Sequence, residues 1–442
     1  MKLKSLLTGG IHLNKHKISA NMKLTELALP DMVYIPVRQH IGAPANIVVK
    51  IGDQVKVGTM LAQAGGVVSA NVFSSVSGVV KKIEEVNNGQ GFFETAVVIE
   101  RQGDEFESSM DMSEDIVRDI SDNKEQLLKA IADAGIVGMG GAGFPSSVKA
   151  NVPEGKSADT LIVNGIECEP YLTADSRLME EKAEQIVIGA RILNKILGIQ
   201  NAIIAIDENK PRAIEILTQI TKNYIGVNVC PCKSIYPQGS EKQLIQTITK
   251  REVPSGKLPI DVHCVVQNVA TVYAVYEAVQ KHIPLFRRAL TVSGDADWSP
   301  KNYWVRLGTP LSFVLQESKA NMDKVGKVLL GGPMMGRAIS SLDAPVTKTT
   351  SGIIVMAEKS SYKPTPSACI RCGKCVGVCP MGLQPYAIRQ SVENNDIYEM
   401  RLQHVQDCIF CGSCAYICPA KLPLTDYCKI GKLELSKQPK KA

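Results

Sequence analysis

Thr160-Leu-Ile-Val-Asn164-Gly-Ile-Glu167-Cys-Glu169-Pro170-Tyr171 reads as a buried strand that runs out into a polar, acidic turn. Leu161, Ile162 and Val163 in succession suit a strand covered on both faces, and Gly165 and Pro170 punctuate its end. Downstream the pattern alternates. Strands are expected at 202–207, 226–230 and 261–267, and helices at 210–223, 240–250 and 271–282. Such alternation predicts an α/β domain built on a doubly wound sheet. Sheets of this kind take ligands outside the carboxyl ends of their strands, which makes Asn164, Glu167 and Glu169 candidate contacts for ribityl or ribose hydroxyls. A capped helix start at Thr173-Ala-Asp175 is compatible with the same residues. His263, inside an expected strand, reads as a satisfied core histidine.

Upstream, residues 124–135 have a helical period and a glycine stop. Gly138-Met-Gly140-Gly141-Ala-Gly143-Phe144-Pro145 follows, with Lys149 four residues on. Closely spaced glycines let backbone N–H groups approach a phosphate, and a lysine near a helix start adds positive field. The loop is neither a strand-linked G-x-G-x-x-G nor a Walker loop, so a plain flexible turn is the alternative. The acidic strand end that follows favours the phosphate site.

Two smaller β modules flank this domain. Residues 32–100 are rich in Val and Gly, and 48–58 and 76–84 look like the halves of a biotinyl/lipoyl-type barrel-sandwich hybrid. Gly66-Val-Val-Ser-Ala-Asn71, where a lysine would carry a swinging arm, has none, so a scaffold is expected. Residues 289–312 suggest a β-grasp module. Gly331-Gly-Pro-Met-Met-Gly336 is a glycine-rich turn to which the sequence gives no use.

Nine of the thirteen cysteines fall between Cys369 and Cys428. Cys369-x-x-Cys372-x-x-Cys375-x-x-x-Cys379-Pro380 is repeated as Cys408-x-x-Cys411-x-x-Cys414-x-x-x-Cys418-Pro419, the spacing of two-cluster bacterial ferredoxins. Two-residue gaps bring three thiolates of one run to one cubane, and the fourth reaches the other. Cys369, Cys372, Cys375 and Cys418 are expected on one [4Fe–4S] cluster, and Cys408, Cys411, Cys414 and Cys379 on the other. Zinc knuckles pair two C-x-x-C units and lack the third cysteine and the C-P, which disfavours zinc. Cys428 falls outside the pattern and reads as a plain thiol. Cys230-Pro231-Cys232 is too tight for a C-x-x-C chelate and, with Cys264, reads as sheet core.

The chain has 442 residues, 45% hydrophobic and 21% charged, with a formal charge of +6. That composition excludes a disordered, fibrous or disulfide-scaffold protein, and the length suggests several domains. No apolar run is long enough to span a membrane, and the N-terminus lacks the apolar core of a secretory signal. A cytosolic protein, whose cysteines bind metal instead of forming disulfides, is therefore expected. The whole net charge lies in residues 359–442, where 12 basic residues meet 6 acidic ones. No aromatics interleave with these charges, so nucleic acid is not expected, and Lys437, Lys440 and Lys441 read as a solvated face. Each [4Fe–4S]2+ core with four thiolates is formally −2, so two clusters offset most of the excess.

These motifs, with Gly9-Gly10-Ile-His12, in this order, give a chain that resembles the RnfC family, the peripheral C subunits of Rnf ion-translocating ferredoxin:NAD oxidoreductases. The middle is similar to the flavin subunit of respiratory complex I. The resemblance implies a multidomain α/β protein: a barrel-sandwich hybrid within 1–112, a Rossmann-like FMN/NADH domain over 113–285, a soluble-ligand-binding (SLBB) β-grasp module over 286–358 and a ferredoxin-like domain over 359–442. It implies FMN against Gly140, Gly141 and Gly143, with Lys149 as a flavin contact and Phe144 stacked on nicotinamide or adenine. Asn164, Glu167 and Glu169 match part of the acidic strand end, although Ile166 and Cys168 replace an aspartate and a glycine of the complex I pattern. Electrons would pass between NAD(H), FMN and two [4Fe–4S] clusters, with the membrane and peripheral Rnf subunits as direct partners and ferredoxin as an indirect one. The implied location is the cytoplasmic face of a prokaryotic membrane. A cluster-only relay without nucleotide, and a corrinoid reductase, are the alternatives; the sandwich preceding the glycine loop argues against the latter.

Overall fold

The computed structural model describes residues 3–296 and 299–438. Lys440 and Lys441, expected on a solvated face, lie outside the described residues. The central domain is a four-stranded parallel sheet in the order Val227–Cys232, Ala202–Asp207, Thr160–Gly165, Cys264–Asn268. Alternate residues of Thr160–Gly165 serve opposite faces. Leu161 and Val163 pack under the helices Ala183–Leu197 and Val269–Lys281. Ile162 joins Leu244, Ile245 and Ile248 of the helix Glu241–Thr249. The continuous apolar run is thus explained, since both faces are buried. Cys232 and Cys264 are fully buried in the second face, with Cys230 packed against it.

Two details differ from the expected pattern. Residues 259–262 form a short 3-10 turn, closed by the Asp261 carboxylate accepting the Leu258 N–H, so the strand starts only at Cys264. His263 is therefore no core residue: it is exposed, in the left-handed region at φ 59°, with its ring against the Ser157 carbonyl. The strand expected to stop at Cys230 runs to Cys232, because Val227–Cys232 is the sheet edge, where Pro231 breaks no ladder bond within the sheet.

The N-terminal sandwich packs a four-stranded sheet, Met32–Pro36, Phe93–Gly103, Ser77–Asn87 and Gln54–Val55, on a three-stranded one. Val33, Ile35, Leu61, Val80, Val97 and Ile99 fill its interior. Its lysine-free tip is fastened. The Lys348 ammonium, fully buried, donates to the carbonyls of Asn71 and Gly135 at 2.6 and 2.8 Å, and the Asn71 amide donates to the Asp133 carbonyl. A side chain tied to the helix Lys124–Asp133 cannot swing, which fits the scaffold role.

The region expected to be a β-grasp module contributes to a six-stranded sheet, which takes an edge strand, Leu24–Glu26, from the N-terminal segment, paired parallel with Lys301–Arg306. Nothing in that short segment announces it. The segment also stitches the C-terminal domain to the rest: the Gly10 N–H donates to the Val378 carbonyl, and the Ile11 N–H donates to the Tyr236 carbonyl. A Cβ at Gly9, at φ +62°, would lie 2.6 Å from the Cys379 carbonyl carbon, so only glycine fits this crossing. In the C-terminal domain, Pro385–Glu393 and Ile397–Leu402 form the expected helical connectors between the two cysteine runs. Among the described residues, no helix is long and apolar enough to cross a membrane.

Candidate functional site

The chain leaves Thr160–Gly165 to build two strands on one side, then returns to place Cys264–Asn268 on the other. The carboxyl ends of these two strands are therefore the switch point, where an open α/β sheet leaves a crevice. Asn164 and Asn268 are register partners there. The glycine loop closes over them: a Cβ on Gly140 would come within 2.9 Å of the Asn268 Cβ, whereas one on Gly141 would meet nothing within 4 Å. Gly141 and Ala142 are exposed, and Gly143, at φ +72°, backs onto Gln39 and Thr349. The loop thus has a supported back and an open front. Phe144 is half-buried beside it, its carbonyl accepting the Gly138 N–H. Ser146 opens the next helix with a buried hydroxyl that has no partner among the described residues. Free backbone, an orphaned hydroxyl and a side-chain-free approach fit a phosphorylated cofactor.

The other expected contacts fall into two groups. Asn164 donates to the Gly239 carbonyl at 2.8 Å, and two residues on, Glu241 pairs with Lys149. Glu167 accepts the N–H groups of Asp175 and Ser176, so it, and not Thr173, caps the helix Ala174–Glu181. The Asn268 amide donates to Asp175 at 2.8 Å, which ties the cap to the glycine loop. Burial, and then the Glu167 charge, raises the Asp175 carboxyl to about 6. Asn268 and Asp175 thus link Gly140 and Asn164 to the Glu167 cap, while Lys149 is held by Glu241, two residues beyond the Gly239 carbonyl that Asn164 reaches. Asn268 falls between the strand and the helix expected from the sequence; its place beside the loop comes from the sheet order.

Glu169 faces the other way. Its carboxylate accepts the N–H groups of Met334 and Met335 at 3.0 and 2.7 Å, which gives the glycine-rich turn 331–336 a use. A Cβ on Gly332 would lie 2.3 Å from that carboxylate. Burial raises the Glu169 carboxyl to about 7. The backbone around the two acids is strained: Glu167 sits at φ 45° and Tyr171, two residues past Glu169, at φ 68°. Two lysines hold it, Lys210 buried and Lys17 half-buried. Lys17 donates to the carbonyls of Glu167, Glu169 and Leu172, and burial, then Lys210, lowers its ammonium to about 8. Lys210 donates to the Ile166 carbonyl at 2.7 Å. No local pattern marks either lysine. Ile166 is fully buried under the helix Glu241–Thr249, and Cys168, raised to about 12 by burial, packs toward Tyr236 and Cys411. Of the two substitutions from the complex I pattern, Ile166 therefore fills the core of the central domain and Cys168 meets the C-terminal domain.

In that domain, Cys379, Cys408, Cys411 and Cys414 line one cavity with Pro380, Ile409 and Phe410. Burial pushes the Cys379, Cys411 and Cys414 thiols up, the last to about 12, so the positive charge of iron is what would hold them as thiolates. Cys428 is buried beside them, and its hydrogen bond lowers Cys408 to about 7. Cys375 and Cys418 are buried near Leu422 and Leu424, while Cys369 and Cys372 are exposed. Cys379 thus lies with the cysteines of the second run, and Cys418 packs with Cys375 of the first and Cys414 of the second.

Comparison with known proteins agrees with this layout. Residues 6–104 match the RnfC barrel-sandwich hybrid domain, 131–277 the Nuo51 FMN-binding domain and 368–422 a 4Fe-4S dicluster domain. The chain is 43% identical over 394 residues to the C subunit of the proton-translocating ferredoxin:NAD(+) oxidoreductase complex of Clostridium ljungdahlii, covering 88% of this chain and 85% of that protein. It is 42% identical over 442 residues to the C subunit of the Na(+)-translocating complex of Acetobacterium woodii, covering 98% of both. A subunit of an NAD+-reducing [NiFe]-hydrogenase shares the fold, with a TM-score of 0.50 at 18% identity, over 72% of this chain and 63% of that one. With a sandwich, an FMN-binding domain and a dicluster domain in one order, and this identity along nearly its whole length, the chain belongs to the RnfC family, the C subunits of ion-translocating ferredoxin:NAD(+) oxidoreductase complexes.

Proposed function

We propose that this chain is the peripheral electron-exchange subunit of a membrane-bound, ion-translocating ferredoxin:NAD+ oxidoreductase, and that it carries electrons between NAD(H) and the other subunits. One observation carries the reading. The glycine loop with its open front lies on one side of the strand end 164–172, and the cysteine-lined cavity lies on the other, joined by Glu169, the 331–336 turn and Tyr236. When bound, FMN supplies the change between two-electron hydride chemistry and one-electron transfer, and the clusters carry single electrons.

The residues of this chain bind and orient. Gly140, Gly141 and Gly143 offer backbone to the FMN phosphate, and Lys149 supplies positive charge once it leaves Glu241. Asn164 and Glu167 line the crevice floor, and Phe144 flanks the mouth for the nicotinamide nucleotide. Glu169 borders the same strand end from the cluster side. Cys369, Cys372, Cys375 and Cys418 would hold one [4Fe–4S] cluster, and Cys379, Cys408, Cys411 and Cys414 the other. No side chain needs to act as a general acid or base for hydride transfer. NADH, the membrane and peripheral subunits and, through them, ferredoxin are the partners, on the cytoplasmic side of the membrane.

A cluster-only relay is the second reading, favoured by Lys149 and Glu167 each having an internal partner already. One experiment separates the two. The chain is purified anaerobically, its clusters are reconstituted, FMN is added and NADH is titrated in. Flavin retention and NADH bleaching of the cluster absorbance are expected. Neither appearing would leave only the relay. Lys149→Ala and Glu167→Ala should each weaken flavin retention; the Lys149 pair is partly exposed and contributes about 0–1 kcal/mol, so that variant stays folded.

A further inference from the structure

Resting on the two-cluster assignment above, we propose that the clusters have fixed and unequal places. The one held by Cys379, Cys408, Cys411 and Cys414 is internal and faces the flavin domain. The one held by Cys369, Cys372, Cys375 and Cys418 is the outlet, docked by a protein partner with an acidic patch around its own one-electron centre.

The inner position follows from what surrounds it. The Tyr236 hydroxyl donates to the Cys411 carbonyl, Gly9 presses on the Cys379 carbonyl, and Gln243 donates to the Pro380 carbonyl at 3.3 Å. The Met334 carbonyl lies 3.0 Å from where a Cβ of Gly412 would sit, on the same turn that Glu169 holds. Ile11, Tyr236, Met334 and Ile409 complete an apolar seal around Cys411 and Cys168. Apart from Ile409, these contacts come from the N-terminal segment, the flavin domain or the β-grasp module. An electron arriving from the strand end therefore meets this cluster first.

The first part of the other run is bare, although Cys375 itself is buried. Residues 362–374 are exposed without interruption, including both Cys369 and Cys372, and Ile370 between them is 67% exposed. From Lys359 to Val392 the chain carries five basic residues and no acidic one. Arg371 and Lys374 flank Cys372, and Lys421, also exposed, follows Cys418 by three residues. The six acids of the domain lie elsewhere, on the connector 393–407 and the last helix. A basic collar with an apolar tip suits an acidic partner: opposite charge steers the encounter and the apolar contact dries it. The step is simple to balance. One electron leaves the outer cluster, the partner's centre gains it, and no bond or proton moves.

The test uses the full chain with both clusters, reduced chemically with dithionite, so it does not depend on FMN or NADH. The probe is a small acidic plant-type [2Fe–2S] ferredoxin, and stopped-flow absorbance reads the second-order rate of electron transfer to it. Arg371→Glu with Lys374→Glu should slow that rate about tenfold or more at low ionic strength and flatten its salt dependence. Lys437→Glu, on the far end of the last helix, should leave it unchanged. In parallel, a soluble dysprosium chelate should speed the electron spin relaxation of one cluster more than the other, and the affected signal should be lost in Cys372→Ser. Equal rates in all three proteins, equal slowing by Lys437→Glu, or relaxation confined to the cluster that survives Cys372→Ser would each overturn the proposal. If flavin fails to bind while these results hold, the dehydrogenase reading falls and the cluster order stands.

Discussion

The phenol of Tyr236 donates a hydrogen bond to the carbonyl oxygen of Cys411 at 2.7 Å, and Tyr236 is itself 3% exposed. The bond crosses from the central α/β domain to the second cysteine run. Burial first, then the nearby Glu169, holds the phenol well above its ordinary value, so it remains a donor at every physiological pH.

Tyr236→Phe removes this donor and leaves a buried carbonyl without a partner, which costs about 1–3 kcal/mol. The expected result is a lower melting temperature and faster bleaching of the inner cluster by an iron chelator, with unchanged far-ultraviolet dichroism. Bleaching at the wild-type rate would show that the bond does not secure this domain.

Gly140 and Gly141 of the glycine loop should respond differently to substitution. Gly140→Ala forces a methyl into Asn268 and should destabilise the fold by about 1–3 kcal/mol. Gly141→Ala meets nothing and should leave the melting temperature of the flavin-free protein within a degree or two, yet weaken FMN binding at least tenfold. Isothermal titration with FMN and thermal melts of both variants check this; full FMN affinity in Gly141→Ala would place the phosphate elsewhere.

Glu169 gives stability a pH dependence of known sign. Its carboxyl is raised to about 7 from an unfolded value of 4.5, chiefly by burial. Between those values the folded state holds the proton more tightly than the unfolded chain. Stability is therefore full below about pH 4.5 and declines as pH rises toward 7, by at most about 1.4 kcal/mol per pH unit. Asp175, raised to about 6, acts in the same direction. Glu169→Gln should flatten part of the slope between pH 5 and 7.5 in thermal melts, the Asp175 share remaining. A slope identical to wild type would mean that the Glu169 carboxylate is ionised throughout.

Gly9→Ala tests the N-terminal strap. The new methyl would collide with the Cys379 backbone in a left-handed conformation, and the neighbouring Gly10 to Val378 bond should be lost with it. A loss of about 1–3 kcal/mol is expected. Hydrogen exchange should quicken at residues 4–12 and around Cys379 while the sandwich stays protected. Unchanged exchange at both places would rule out the strap.

Much of this protein is written locally. Doubled cysteine spacing, strand–helix alternation and the Gly138–Pro145 loop each need only neighbours in sequence, because thiolate reach, two-faced burial and backbone freedom are properties of a few consecutive residues. The strand ends at 164 and 207 and the helix following Ser240 were legible for that reason. His263 was not, because the Pro259 turn displaced the strand start by a few residues and turned the ring outward.

The tertiary structure alone decided the rest. Asn164 and Asn268 are 104 positions apart and meet only because the chain reverses across the sheet. Lys17, Lys210 and Lys348 look like surface lysines in sequence, yet each is committed to backbone carbonyls of distant segments. Glu169 and the 331–336 turn were each visible, but not as partners. Buried ammonium and carboxylate groups must find hydrogen bonds wherever the fold brings carbonyls and N–H groups together, and that is a property of packing, which one-dimensional spacing does not encode.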